Sequence, residues 1–86
     1  MKISIELTIA PLKSSYIPPI KNFIRRLRDT KFTVIENPLS TQIYGDYDKV
    51  MSSLVPLIKS TFAEEDAVIL HLKLVKGDRS QYEPDF

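Results

Sequence analysis

The spacing of apolar residues along this chain switches between two periods, and the order of the switches leaves few folds open. From Lys2 to Ala10 the period is two: Ile3, Ile5, Leu7 and Ile9 take one side, and Lys2, Ser4, Glu6 and Thr8 the other. That is the pattern of a half-buried strand, and Pro11 ends it. From Tyr16 to Asp29 the spacing becomes helical, with Tyr16, Ile17, Ile20, Phe23, Ile24 and Leu27 on one stripe. Pro18 and Pro19 fall in its first turn, where a missing N–H has no intrahelical partner, and Ser15 stands where a cap is wanted. Lys21, Arg25, Arg26 and Arg28 fall toward its polar side, which reads as a solvated face.

Phe32–Glu36 and Ser40–Tyr44 then read as two short strands joined through Asn37-Pro38. At Gly45-Asp46 the period changes again. Glycine lets the chain leave the strand without a side-chain clash, with a positive φ as one way of doing so, and Asp46 can cap the next helix. This second helix carries Tyr47, Val50, Met51, Leu54, Leu57, Ile58 and Phe62, and Pro56 inside it is expected to kink it or end it early. A last strand spans Ala67–Val75, with Val68, Leu70, Leu72 and Leu74 facing one way and Ile69, His71 and Lys73 the other.

The order is therefore βαββαβ. Right-handed crossovers place both helices on one face of a four-stranded antiparallel sheet. The expected fold is α+β, a ferredoxin-like sandwich of strand order 4-1-3-2. Residues 1–76 make a single domain, and residues 77–86, GDRSQYEPDF, read as a polar, loosely held tail. A chain of 86 residues buries a small core and, with no cysteine, has no disulfide to support it. Oligomerisation is the remaining common source of stability.

Twelve basic residues against eleven acidic ones leave a net charge of +1, which does not favour nucleic acid as a partner. The segment MKISIELTIAPL imitates a secretion signal only superficially, because Ser4, Glu6 and Thr8 interrupt its apolar residues. No run approaches the roughly 18 apolar residues of a membrane span. The expectation is a cytoplasmic protein without a membrane partner.

The sheet face left open by the helices carries Ser4, Glu6 and Thr8 from the first strand and Ile69, His71 and Lys73 from the last. The third strand adds Gln42 and Tyr44, if Thr41 and Ile43 face the helices. Glu6 thus lies between the only histidine and a tyrosine. A carboxylate, an aromatic ring and hydroxyls converging on one surface suit a small polar heterocycle. The same surface suits packing on a second subunit, and Ile69 and Val75 lean that way.

Catalytic signatures are missing: there is no cysteine nucleophile, no Gly-rich phosphate loop, and one histidine gives little material for a metal or a triad. Acylphosphatases share the element order but carry an arginine-bearing anion loop after strand 1, where this chain reads APLKSS. RNA-recognition domains share it too, but stack bases on central-strand aromatics, where this chain shows Ser4, Glu6 and Thr8. No enzyme is expected, and no cofactor.

The segment STQIYGDYDKVMSSL resembles the T-x-(V/I)-E-G-(D/E)-hydrophobic-(D/E)-x-(V/I)-M signature of the thiamine-binding, YkoF-like family, with Thr41, Gly45, Asp46 and Met51 on the pattern. The strand ending in Pro11-Leu12 is similar to that family's first strand. The likeness spans about residues 2–76. It departs at Tyr44, where the family has an acidic residue, and at Ala10, where it has a tyrosine. The resemblance implies a βαββαβ domain assembling through its sheet into homo-dimers or tetramers, and a ligand that is thiamine or its hydroxymethylpyrimidine moiety in salvage or transport. The candidate ligand-binding residues are Glu6, Thr8, Thr41, Tyr44 and His71. The alternative is a structural or regulatory homo-oligomer whose open sheet face is a subunit interface with no such ligand.

Overall fold

The computed structural model describes all 86 residues. The elements run in the order β1 (Lys2–Pro11), α1 (Ile17–Asp29), β2 (Thr33–Glu36), β3 (Thr41–Asp46), α2 (Tyr47–Glu64) and β4 (Val68–Lys76). The four strands form one antiparallel sheet in the order β2-β3-β1-β4, which is 4-1-3-2 read from the other edge. The ferredoxin-like arrangement is as expected. No helix is long and apolar enough to cross a membrane.

Register decides which side chains share a face, because directly opposed residues on paired strands point the same way. Ile5 lies opposite Ile43 on β3 and Leu74 on β4, and this set faces the helices. Glu6 lies opposite Gln42 and Lys73, and this set faces away from them. The core is a cluster of nine buried residues: Ile3, Ile5, Leu7 and Ile43 from the sheet, Phe23 and Leu27 from α1, and Val50, Leu54 and Leu57 from α2. Each such side chain contributes about 1.5–3 kcal/mol on burial, so a core this small leaves little reserve.

One local expectation is corrected and two are narrowed. Ser15 does not cap α1; Tyr16 holds the N-cap position and makes no side-chain cap bond. The prolines of the first turn bring no N–H, so fewer donors there need a cap. Pro56 does not end α2, which runs on to Glu64. It sits on an exposed side of the helix, where water can take up the carbonyl it leaves unpaired. Gly45 lies inside β3 rather than in a turn, and Gly77 is the glycine with positive φ. A Cβ on Gly45 would meet Val50 Cγ2 at 2.9 Å and Phe32 Cδ1 at 3.1 Å. The need is for close approach of α2 to the sheet, not for an unusual backbone. Asp46 caps α2 as expected, accepting from the Lys49 N–H at 3.4 Å.

The basic face of α1 is only partly solvated. Arg26 donates to Thr61 Oγ1 at 3.0 Å and pairs with Glu64, which ties α1 to α2. Arg28 grips Glu36 on β2 with two hydrogen bonds of 2.6 and 2.7 Å. That contact holds the Glu36 carboxyl below its ordinary range. On the far side, Lys13 meets Glu65 at 2.9 Å, supplying the partner for a buried carboxylate oxygen that accepts no other hydrogen bond. The helices do not reach fully over β4: Leu72 and Leu74 face the helix side yet stay 39% and 48% exposed.

Candidate functional site

The part of the open face around Glu6 is assembled from three strands and the first residues after β4. Ser4, Glu6 and Thr8 come from β1, Gln42 and Tyr44 from β3, and His71, Lys73 and Val75 from β4. Beyond β4, Gly77 turns the chain with φ +99° and donates its N–H to the Lys2 carbonyl at 2.8 Å. Ser4 then holds the turn from below. Its hydroxyl donates to the Gly77 carbonyl at 2.7 Å and accepts from the Arg79 N–H at 2.9 Å. The start of the C-terminal segment is therefore docked on the sheet rather than loose, and it buries Ser4 to 6% exposure.

This turn closes one side of a cavity of about 190 Å³ whose lining includes Glu6, Gln42, Tyr44, Lys73, Val75 and Arg79. The Glu6 carboxylate accepts from Ser40 Oγ at 3.1 Å and lies 3.7 Å from Lys73 Nζ. Both side chains of the Glu6–Lys73 pair are substantially exposed, so the pair is weak and the carboxylate keeps acceptor capacity for a ligand. Tyr44 is buried, and its hydroxyl donates to Gln42 Oε1 at 2.7 Å. Burial first, and then the charges of Asp78 and Glu6, raise the Tyr44 pKa above the ordinary phenol value. Tyr44 thus stays a neutral donor and a wall of the cavity, with little ring face free for stacking. Because Gln42 Oε1 is the acceptor of that bond, the Gln42 amide nitrogen remains as a donor.

The residues expected from sequence divide into three places. Glu6 and Tyr44 share the open-face cavity. Thr8 and His71 lie directly opposite each other on the same face, both exposed, one step along the sheet from Glu6 and outside that cavity's lining. Thr41 is on the other face: it lies opposite Leu7 and is buried on the helix side. There it joins Ile20, Phe23, Ile24 and Asn37 in lining a larger cavity of about 280 Å³, to which Thr8 also contributes. Thr41 therefore does not converge with Glu6, and the cause is the alternation of β3. The larger cavity has no ionisable side chain in its lining, so it lacks a group that distinguishes a cation or amine from a neutral molecule. The smaller one has Glu6, Lys73 and Arg79.

Lys73 and Gln42 were legible as open-face residues from the same alternation, but Arg79 was not. It lies beyond the last periodic element, and only the turn at Gly77 brings it back over the sheet. No group of three or more metal-ligating His, Cys, Asp or Glu side chains is present.

No protein-family model and no curated protein matches the chain. Solved structures do. A Streptococcus pneumoniae protein determined by X-ray crystallography superposes with a TM-score of 0.82 at 29% identity, over 91% of this chain and 89% of that one. A Thermotoga maritima protein, provisionally assigned to thiamine biosynthesis or salvage, superposes with a TM-score of 0.78 at 14% identity, over 86% of this chain and 82% of that one. A domain of unknown function from Bacillus cereus, DUF77, gives 0.74 at 10% identity over 91% and 78%. At such low identity the last two speak to the shared fold alone.

Proposed function

We propose that the chain is a non-catalytic binding protein for thiamine or its hydroxymethylpyrimidine moiety, held at the open-face cavity and serving thiamine salvage or transport. The observation that carries this reading is the Glu6 carboxylate, half exposed on the cavity floor beside the Tyr44–Gln42 pair. An aminopyrimidine presents an amino donor next to ring-nitrogen acceptors. Glu6 accepts from the amino group, and the Gln42 amide nitrogen donates to the ring. A thiazolium cation is drawn to the same carboxylate. The Thermotoga neighbour, assigned provisionally to thiamine biosynthesis or salvage, supports the choice of ligand. In this reading Thr8 and His71, opposite each other on the same face and outside the cavity lining, would contact only a ligand longer than the cavity.

The test is a thermal-shift titration with thiamine, hydroxymethylpyrimidine and thiazole on the wild type and Glu6→Ala. A ligand that binds only the folded state stabilises by about 2.7 kcal/mol at a hundred times its dissociation constant, which raises the melting temperature of so small a domain by roughly ten degrees or more. The expected result is a rise in the wild type that Glu6→Ala abolishes. A wild type that none of the three shifts overturns the reading.

A second reading is favoured by β4. It is an edge strand of nine residues with a row of unpaired backbone groups, and it exposes Ile69 on the open face and Leu72 and Leu74 on the other. Such an edge invites pairing. Here the chain is a homo-oligomer, and the open sheet face is its subunit interface. Light scattering should then give a dimer or tetramer mass that Ile69→Lys reduces to the monomer, with no response to the three ligands. A monomeric wild type rules this version out.

A further inference from the structure

We infer that the ligand of the open-face cavity is an aromatic amine that also bears a phosphate monoester on a hydroxyl, and that Arg79 is the residue that binds the phosphate. The inference rests on the binding reading above and specifies the class of molecule.

The lining of the cavity carries more cations than acids. Its lining holds one carboxylate, Glu6, and two cations, Lys73 and Arg79. Glu6 already has Lys73 as its ion-pair partner. The acid next to Arg79 in sequence, Asp78, is not in the lining; its charge reaches Tyr44, but its carboxylate is turned to Ser80, accepting from the backbone N–H at 2.8 Å and the hydroxyl at 2.5 Å. The Asp78 carboxyl also feels the Lys2 charge. The Arg79 guanidinium is engaged in none of the ion pairs or side-chain hydrogen bonds of the chain. The planar fork of a guanidinium matches the oxygens of a phosphate.

Position strengthens the case. Arg79 is not on a trailing end. Its backbone N–H is tied to Ser4 Oγ, across 75 residues of sequence, and the same hydroxyl holds the Gly77 carbonyl. The turn thus delivers a cation to the edge of a cavity whose floor is a carboxylate. An anion placed beside Glu6 would be repelled by it, so the two charges select a molecule with opposite ends: an amino donor at Glu6 and an anion at Arg79. A neutral alcohol uses only the first. A phosphate ester, with a charge between about −1.5 and −2 at neutral pH, uses both.

The experiment is calorimetric titration of hydroxymethylpyrimidine and its phosphate ester into wild type, Arg79→Ala, Arg79→Lys and Glu6→Ala. Arg79 is exposed and outside every strand and helix, so its replacement leaves the core untouched. The ester should bind the wild type roughly tenfold to a hundredfold tighter than the alcohol, and rising salt should narrow the gap. Arg79→Ala should abolish the preference, so that ester and alcohol bind that variant with equal affinity. Arg79→Lys should restore part of the preference, and Glu6→Ala should weaken both ligands alike. Equal affinities in the wild type, or a preference that survives in Arg79→Ala, would overturn the inference and leave the binding reading standing. Failure of both ligands to bind would remove both.

Discussion

Replacing Phe23 by alanine should cost about 3–5 kcal/mol of folding stability. Phe23 is 2% exposed, and with Leu27 it is the part of α1 that enters the main core cluster beside Ile5, Leu7 and Ile43. Removing the ring forfeits its transfer energy and opens a void that a thin core cannot refill. Small domains hold only about 5–15 kcal/mol in total, so a measurable unfolded fraction at room temperature is expected. Urea denaturation followed by circular dichroism measures it, with Tyr16→Ala as the control. Tyr16 begins the same apolar stripe but is 52% exposed, so its loss should cost well under 1 kcal/mol. A Phe23→Ala penalty as small as that of the control would mean that α1 does not pack where the structure places it.

Gly45→Ala should destabilise by about 1–3 kcal/mol, although it adds a single methyl group. The new Cβ would lie 2.9 Å from Val50 Cγ2. Val50 is fully buried on α2, and a β-branched side chain in a helix has essentially one rotamer, so it cannot swing aside. Phe32 closes the other side. Alanine also narrows the unfolded ensemble, which offsets about 0.4–1 kcal/mol of the loss, less than the crowding. The decisive measurement is a double-mutant cycle with Val50→Ala. The penalty of Gly45→Ala should shrink in that background, because the offending methyl is gone. An unchanged penalty would place the cause in the strand backbone and not in the approach of α2.

The legibility of the candidate site depends on how far each residue lies from a periodic pattern. Glu6, Gln42, Tyr44, Lys73 and His71 fall on one sheet face because strand side chains alternate, and alternation can be read locally. The same rule places Thr41 opposite to Glu6; its match to a signature motif pointed the other way, and the register Leu7–Thr41 decides for the helix side. Arg79 escaped because a segment after the last strand has no period, and nothing in GDRSQYEPDF states that Ser4 will hold its turn. Tyr44 was visible as an aromatic on the open face, but its burial was not, since alternation alone does not state what covers a face.

The elements and their order were determined by sequence alone. Apolar spacings of two and about 3.6 residues are properties of short windows, and so are the cap at Asp46 and the prolines of the first turn of α1. Together with the handedness of crossovers they suffice for a ferredoxin-like sheet with two helices on one side. What the tertiary structure decided depends on residues far apart in the chain. The fit of Val50 against Gly45 explains the glycine, the exposed setting of Pro56 lets α2 continue, and the bonds from Ser4 to Gly77 and Arg79 turn a polar tail into a wall of the cavity. Each of these is a contact between elements whose relative placement is set by packing the whole core at once, so no local pattern encodes it.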